Sequence, residues 1–163
     1  MNVPLSITVN GRARDVAVDP RLTLIYMLRE TLGLTGSHVG CSTGNCGAFT
    51  VLLDGKTVKS CSILAADVNG SEIQTIEGLS TGAHDLHPIQ QAFVDNQGLQ
   101  CGFCTPGMVL STMHLLSQNP DPTDDEVRHG ISGNLCRCTG YEFIVQSILA
   151  AAKTMREANP ASV

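Results

Sequence analysis

The sequence predicts an α+β protein in which a small β-sheet domain precedes a domain of four helices. Two turn signals, Asn10-Gly11 and Asp54-Gly55, lie between short apolar runs in the first half. In the second half, apolar residues recur at helical spacing. The 163 residues suffice for two small domains with modest cores. We expect an N-terminal domain at 1–77, a turn-rich linker at 78–87 and a helical domain at 88–163.

Alternating apolar residues predict the strands of the N-terminal domain. Ile7 and Val9 alternate with polar neighbours before the first turn, and Val16 and Val18 alternate after it. Further strands are predicted at 50–53, 57–58 and near 72–76.

One helix is predicted between the two hairpins. Pro20 ends the second strand, and Gly33 stands where a helix C-cap belongs. Two hairpins packed on one helix resemble a small β-grasp sheet. The apolar residues at helical spacing are Leu24, Met27, Leu28 and Leu32.

The helical domain begins with a short helix at 89–94. Thr105 is expected to cap the second helix, with Pro106 at its first position, because the missing N–H costs little there. Thr123 and Glu126 form a capping box for a third helix that reaches about residue 131. Apolar faces are marked by Val109, Met113 and Leu116 in the second helix and by Ile144, Ile148, Ala152 and Met155 in a fourth.

Composition excludes several classes of function. The formal net charge of −5 and the absence of a basic patch argue against nucleic-acid binding. No apolar run approaches the ~18 residues of a membrane span. The N-terminus lacks the pattern of a secretory signal, so we expect a cytoplasmic protein. In a reducing compartment the 7 cysteines are expected to bind metal rather than form disulfides.

Four cysteines of the second half form two tight pairs, Cys101-Gly-Phe-Cys104 and Cys136-Arg-Cys138. Each pair precedes a predicted helix start, the second at Thr139-Gly140, where unpaired N–H groups favour thiolates. Four thiolates suit zinc or an iron–sulfur cluster, and the spacing alone leaves both open beside a disulfide pairing.

Three cysteines of the first half nearly match a plant-type ferredoxin pattern. That pattern is C-x4-C-x2-C followed by a distant cysteine. Cys41, Cys46 and Cys61 fit it, whereas Phe49 stands at the third position. The glycine-rich loop allows N–H groups to turn toward sulfur. The alternative is a surface loop with incidental cysteines.

These motifs resemble the small iron–sulfur subunit of the molybdenum hydroxylases, the xanthine oxidase family. The resemblance rests on GCSTGNCGAF with SCSILA downstream, on GLQCGFCTPGM and on GNLCRCTGY, and it covers residues 7–152. Among such subunits, GLTGSHVGC and DGKTVKSC look closest to the carbon monoxide dehydrogenase type.

The resemblance implies two 2Fe-2S clusters and two partner subunits. A large subunit holds molybdopterin, a medium subunit holds FAD, and the complex is expected to be a dimer of heterotrimers. Electrons pass from molybdenum to the helical domain's cluster, then to the ferredoxin-like cluster and on to FAD. The implied ligands are Cys101, Cys104, Cys136 and Cys138 for the first of these clusters, and Cys41, Cys46 and Cys61 for the second.

The resemblance also assigns a cofactor-binding role to Gln100, which matches the glutamine that hydrogen-bonds the pterin. Cys138 and its neighbours lie on the same side in relatives. From the residues alone, Gln100 reads as a solvated loop residue.

Phe49 departs from the family pattern because a phenyl ring cannot ligate iron. The explanations are a change or error at this position, a substitute ligand such as water or the hydroxyl of Ser42 or Thr50, and loss of the cluster.

No catalytic residue is expected on this chain. We interpret the histidines as non-ligands, since a Rieske centre needs two histidines in place of two cysteines. The competing functions are a stand-alone ferredoxin and a zinc-stabilised scaffold. The histidines in question are His38, His84, His87, His114 and His129.

Overall fold

The structure, a computed structural model, describes residues 1–80, 82 and 85–158. Its N-terminal half contains a five-stranded sheet in the order β2-β1-β5-β3-β4. The central β1–β5 pair is parallel, whereas the other pairs are antiparallel. The strands are β1 (Val3–Val9), β2 (Arg12–Val18), β3 (Thr50–Leu53), β4 (Lys56–Lys59) and β5 (Glu72–Gln74).

Both predicted hairpins are confirmed. Asn10 and Gly11 have φ of 51° and 73°, and Asp54 and Gly55 have φ of 49° and 78°. Two successive residues with positive φ are what a type I′ hairpin turn requires, and its twist matches that of the strands it joins. The second hairpin pairs Thr50 with Lys59 and so fixes the residues that flank it.

The helix between the hairpins is less regular than predicted. It begins as α1 (Leu24–Tyr26) and continues as a π-helical turn, Met27–Thr31. The N–H of Leu32 accordingly bonds the carbonyl of Met27, 3.0 Å away. Gly33 follows with φ of 70°, which confirms it as the predicted stop.

The C-terminal half is helical, as predicted. Thr123 and Glu126 form the expected capping box. His87 supplies a cap that the sequence reading missed, since its Nδ1 accepts a hydrogen bond from the N–H of Ile89 at 3.2 Å. The helices are α2 (Pro88–Asp95), α3 (Thr105–Gln118), α4 (Asp124–Gly130) and α5 (Glu142–Ala158).

Two predicted helix starts are wrong. Thr105 is not the cap of α3 but its first residue; Cys104 holds the cap position, and the hydroxyl of Thr105 is buried without a hydrogen-bond partner. The last helix starts at Glu142 rather than at Thr139-Gly140, because Tyr141 has φ of 70°, a conformation that an α-helix cannot contain.

Each half has its own apolar core. In the N-terminal half, Leu5, Ile7 and Val51 of the sheet pack with Leu24 and Leu28 of the helical segment. The second core joins the apolar faces of α2 to α5, including Val109, Ile144 and Ile148. None of the helices within residues 1–80, 82 and 85–158 has the length and apolarity to cross a bilayer.

Candidate metal centres

The four cysteines of the helical half lie in two loops that meet. Cys101 and Cys104 occupy the loop before α3, and Cys136 and Cys138 the loop between α4 and α5. The Cys138 thiol donates a hydrogen bond to the sulfur of Cys101, with 3.4 Å between the sulfurs. The thiols of Cys104 and Cys136 interact with each other as a second pair. The four sulfurs therefore form two pairs, one from each loop in each pair.

This pairing bears on the kind of metal that the site fits. A structural zinc site gathers its donors around one ion. No group of three or more His, Cys, Asp or Glu side chains within the described residues is arranged to hold a single ion. A 2Fe-2S cluster takes two protein ligands on each of two irons. Two pairs of thiols fit that arrangement.

Hydrogen bonds orient the inner pair of this site. The hydroxyl of Thr139 lies 3.1 Å from the sulfur of Cys136, and the Cys136 N–H donates to the hydroxyl of Tyr141 at 2.9 Å. Burial acts to raise the pKa of Cys136, but interactions with Thr139, Cys138 and Cys104 together outweigh it, so its pKa lies below the ordinary value. Burial and the bond to Cys136 raise the pKa of Cys104 to about 12.

The outer pair faces solvent. Cys101 and Cys138 are exposed, whereas Cys104 and Cys136 are partly buried. Gln100 is also exposed, directly beside Cys101.

In the N-terminal half, Cys41 and Cys46 form one thiol pair in the loop before β3. The N–H groups of Thr43 and Cys46 bond the sulfur of Cys41, the latter at 3.4 Å, and lower its pKa to about 6. The thiol of Cys46 donates a further hydrogen bond to Cys41. This loop therefore favours a thiolate at Cys41 before any metal binds.

Within the described residues, no hydrogen bond joins the thiol of Cys61 to that of another cysteine. Cys61 lies in the 3-10 turn Ser60–Ser62 after β4, and its sulfur is 3.5 Å from the hydroxyl of Ser62. Phe49 precedes β3, and its carbonyl accepts hydrogen bonds from the N–H and hydroxyl of Ser60 at 3.3 and 2.6 Å. Position 49 thus lies beside the Cys61 turn, but its ring is 0% exposed.

The structure also tests the substitute ligands expected from sequence. Thr50 does not suit the role, since its hydroxyl is buried and donates to the carbonyl of Gly47 at 2.7 Å. The same oxygen accepts from Lys59 Nζ at 3.3 Å and from Asn134 at 3.4 Å. Within the described residues, the hydroxyl of Ser42 has no hydrogen bond to a thiol, whereas that of Ser62 lies 3.5 Å from the Cys61 sulfur.

Lys59 is a cation that interacts with the N-terminal thiols. Its ammonium donates to the carbonyl of Gly133 at 2.6 Å, and it interacts electrostatically with Cys41, Cys46 and Cys61. Burial lowers the pKa of Lys59, and the three thiols oppose that shift. A positive charge so placed favours any anionic group that the three thiols hold.

The two ligand loops are joined at Asn134. Its side-chain amide donates to the carbonyl of Gly47 at 3.0 Å and accepts from the hydroxyl of Ser111 at 2.8 Å. One residue later, the N–H of Leu135 donates to the carbonyl of Cys46 at 2.8 Å. A Cβ on Gly47 would lie 2.3 Å from the carbonyl of Gly133, so only glycine permits this approach. The loops therefore form one rigid junction.

Two of the described histidines interact with main-chain carbonyl groups. His38 stacks on Phe103 with 4.7 Å between ring centroids, and its Nδ1 lies 2.8 Å from the carbonyl of that residue. His114 contacts the carbonyl of Gly55 through Nδ1 at 3.1 Å. His84 lies outside the described residues.

Sequence reasoning missed four residues of these sites, namely Lys59, Ser62, Asn134 and Tyr141. Asn134 and Tyr141 belong to the quoted motif GNLCRCTGY, which was a usable signal. Lys59 and Ser62 belong to the quoted DGKTVKSC and SCSILA, but the placement of their side chains near the thiols depends on the fold of the hairpin.

Comparison with known proteins gives one consistent result. Residues 75–149 match the family model of a 2Fe-2S binding domain. The nicotine 6-hydroxylase small subunit of Paenarthrobacter nicotinovorans is 52% identical over 149 residues, which cover 91% of this chain and 89% of that protein. The nicotinate dehydrogenase small FeS subunit of Eubacterium barkeri is 46% identical over 141 residues, with 85% and 88% covered.

The chain belongs to the small iron–sulfur subunits of the molybdenum hydroxylase family. The crystal structure of quinoline 2-oxidoreductase from Pseudomonas putida 86 superposes on this small subunit with a TM-score of 0.91 at 46% identity, covering 96% of this chain and 97% of the other. Aldehyde oxidoreductase from Desulfovibrio gigas matches with a TM-score of 0.92 at 43% identity, over 97% of this chain and 18% of its own. The predicted α+β fold, with a ferredoxin-like sheet and a helical domain, is confirmed.

Proposed function

We propose that this small subunit carries electrons from a molybdopterin centre on a large subunit to FAD on a medium subunit. Cys101, Cys104, Cys136 and Cys138 are the ligands of one 2Fe-2S cluster, and Cys41, Cys46 and Cys61 contribute to the other. One-electron transfer is the chemistry that such clusters supply when bound. We further propose the division at residues 78–87 as the boundary between the two cluster-binding domains.

One observation carries this proposal: the two sets of thiols belong to loops that touch. A hydrogen bond of 2.8 Å runs from the N–H of Leu135, the residue directly before Cys136, to the carbonyl of Cys46. It therefore joins the loop of one thiol set to a ligand of the other. Asn134 holds the same loops together. A protein that binds two clusters independently has no need of a rigid junction between them, whereas a relay does.

The exposed side of the helical thiol set supports the entry of electrons from a partner subunit at this cluster. Cys101 and Cys138 are exposed there, and so are the apolar side chains of Phe103 and Leu135, at 47% and 57%. Large exposed apolar residues beside a redox site are typical of a surface that a partner covers. We propose that the large subunit covers it and that Gln100 hydrogen-bonds the pterin. The same exposure makes a stand-alone ferredoxin the weaker candidate.

Assembly and location follow the same reasoning. We propose a dimer of heterotrimers in the cytoplasm, where reduced cysteines persist. The seven described cysteines are all free thiols. The relatives described above are named for nicotine, nicotinate and quinoline, so the resemblance to carbon monoxide dehydrogenase stays a prediction.

The proposal is tested by producing the chain with its two partner subunits and purifying the complex anaerobically. We expect all three subunits to elute together and two distinct EPR signals to develop on partial reduction. Leu135→Asp places a charge on the proposed docking surface and is expected to release the small subunit with its EPR signals intact. Thr57→Asp, exposed on β4, is the matched control. A colourless chain with stoichiometric zinc contradicts the proposal.

A further inference from the structure

We propose that the hydroxyl of Ser62 takes the place of the missing fourth cysteine and completes the N-terminal cluster site. The inference rests on the proposed function, since it concerns the ligands of one of the two clusters. It assigns a metal ligand that neither the cysteine spacing nor the family pattern marks.

The first step is the position of Phe49. Hydrogen bonds from Ser60 to the carbonyl of Phe49 fix position 49 beside the turn that carries Cys61. The ring is fully buried and has no donor atom. The main chain therefore holds position 49 beside the Cys61 turn, whereas the side chain at that position offers no ligand atom.

The second step is the pairing of donors. In the helical half, the pair Cys101–Cys138 brings two sulfurs within 3.4 Å. In the N-terminal half, Cys41 and Cys46 form a pair by themselves. The sulfur of Cys61 has as its neighbour the oxygen of Ser62, 3.5 Å away. The Ser62 oxygen thus lies about as far from the Cys61 sulfur as the two sulfurs of the Cys101–Cys138 pair lie from each other.

The third step is the direction in which Ser62 points. A Cβ built on Gly44 would lie 3.1 Å from the hydroxyl oxygen of Ser62. Gly44 is in the loop between Cys41 and Cys46, so the hydroxyl lies against the loop that carries the other two ligands. The absence of a side chain at Gly44, whose φ is 79°, leaves the space that the hydroxyl uses.

The chemistry of the exchange is balanced. A cysteine ligand gives up its thiol proton when it binds iron, and Ser62 would likewise give up its hydroxyl proton to solvent. The resulting alkoxide carries the same charge as the thiolate it replaces. Lys59, which interacts with all three N-terminal thiols, compensates part of that charge. Because Ser62 is exposed, solvent reaches the oxygen to take the proton.

The experiment measures iron per chain and the EPR signals of the full chain in four forms: unaltered, Ser62→Ala, Phe49→Cys, and the double variant. The unaltered chain is expected to bind about four iron atoms, two for each cluster. Ser62→Ala is expected to lower this to about two and to remove one EPR signal. In the Phe49→Cys background, the same Ser62→Ala change is expected to leave about four.

The double variant separates a ligand from a structural role. If Ser62 only supported the turn, its removal would cost iron in both backgrounds, and that result overturns the proposal. Iron unchanged in Ser62→Ala, or about two irons in the unaltered chain, overturns it as well. Ser42→Ala, exposed in the same loop as Cys41, is the matched control and is expected to keep both clusters.

The helical domain reports separately on the proposed function. Its EPR signal is expected in all four forms, because Cys101, Cys104, Cys136 and Cys138 are untouched. If Ser62→Ala keeps all its iron while that signal is present, only the assignment of Ser62 as a ligand is contradicted. Absence of iron from every form defeats the proposed function itself.

Discussion

The two sets of thiols in this molecule serve the same chemistry but are built differently. The helical half supplies four thiols in two pairs, and each pair joins one loop to the other. The sheet half supplies one pair, Cys41 and Cys46, and a single thiol next to Ser62. The difference lies at one position, Phe49, and it shows which ligand positions tolerate an apolar residue.

Position 49 tolerates phenylalanine because it borders the interior of the sheet domain. The ring of Phe49 is fully buried, and burying such a side chain contributes about 1.5–3 kcal/mol. Cys101 and Cys138, by contrast, are exposed, so an apolar replacement there would gain little burial. Burial of the replacement side chain thus partly offsets the loss of a metal ligand at position 49, whereas it would not do so at Cys101 or Cys138.

The largest expected effect comes from breaking the complete set. Cys104→Ala removes one member of the inner pair, leaves Cys136 without its partner and is expected to abolish the helical domain's EPR signal. Iron should fall by about two atoms per chain. Serine is avoided as the replacement because a hydroxyl is itself a candidate ligand. Ser117→Ala is the control, because Ser117 is exposed on α3, the helix that Cys104 caps, and it should change neither the iron content nor the EPR signals. Retention of all iron in Cys104→Ala would refute the assignment of Cys104 as a ligand.

The next effect compares two phenylalanines. Phe49→Ala leaves a cavity in the sheet domain, and the free energy of unfolding should fall by about 3–5 kcal/mol. Phe103→Ala removes a ring that is 47% exposed and stacked only on His38 among described aromatic contacts, so its cost should stay below about 1 kcal/mol. Urea unfolding of the full chain measures both. Similar losses for the two variants would contradict the role given to burial at Phe49.

A smaller effect is expected at the junction between the two sets. Asn134→Ala leaves the buried hydroxyl of Ser111 without its partner and removes one hydrogen bond to the carbonyl of Gly47, which should cost about 1–3 kcal/mol of unfolding free energy. Asn45→Ala is the control, since Asn45 is exposed and bonds only Thr43. Urea unfolding followed by circular dichroism distinguishes them. Equal stabilities would show that the junction contributes nothing to the fold.

The smallest effect concerns the charge that distinguishes the sets. Lys59 interacts with the N-terminal thiols, so Lys59→Gln should lower the reduction potential of that cluster, because reduction adds negative charge. An interaction of about 0.2–1 kcal/mol corresponds to about 10–40 mV for one electron. The potential of the helical domain's cluster should not move. Lys56→Gln, exposed on the same strand, is the control, and a redox titration followed by EPR reads both clusters.

Local patterns predicted most of the elements for local reasons. Asn10-Gly11 and Asp54-Gly55 specify their turns because both residues of each accept positive φ. The capping box of Thr123 and Glu126 joins residues only three positions apart in the chain. The two wrong helix starts both lie in the ligand loops, at Thr105 and Thr139. There the backbone conformation at Tyr141 and the cap position of Cys104 set the helix starts, and local helix signals do not predict them.

By itself, the sequence determined the α+β fold, the grouping of the seven cysteines into four and three, and the vacancy of a ligand at Phe49. Spacing along the chain carries that information, because the ligands of each loop are close in sequence. Only the tertiary structure decided which thiols pair, that Thr50 is already engaged and that the Ser62 hydroxyl lies against the loop at Gly44. These relations depend on the register of β3 with β4 and on the contact of two distant loops, which no local pattern records.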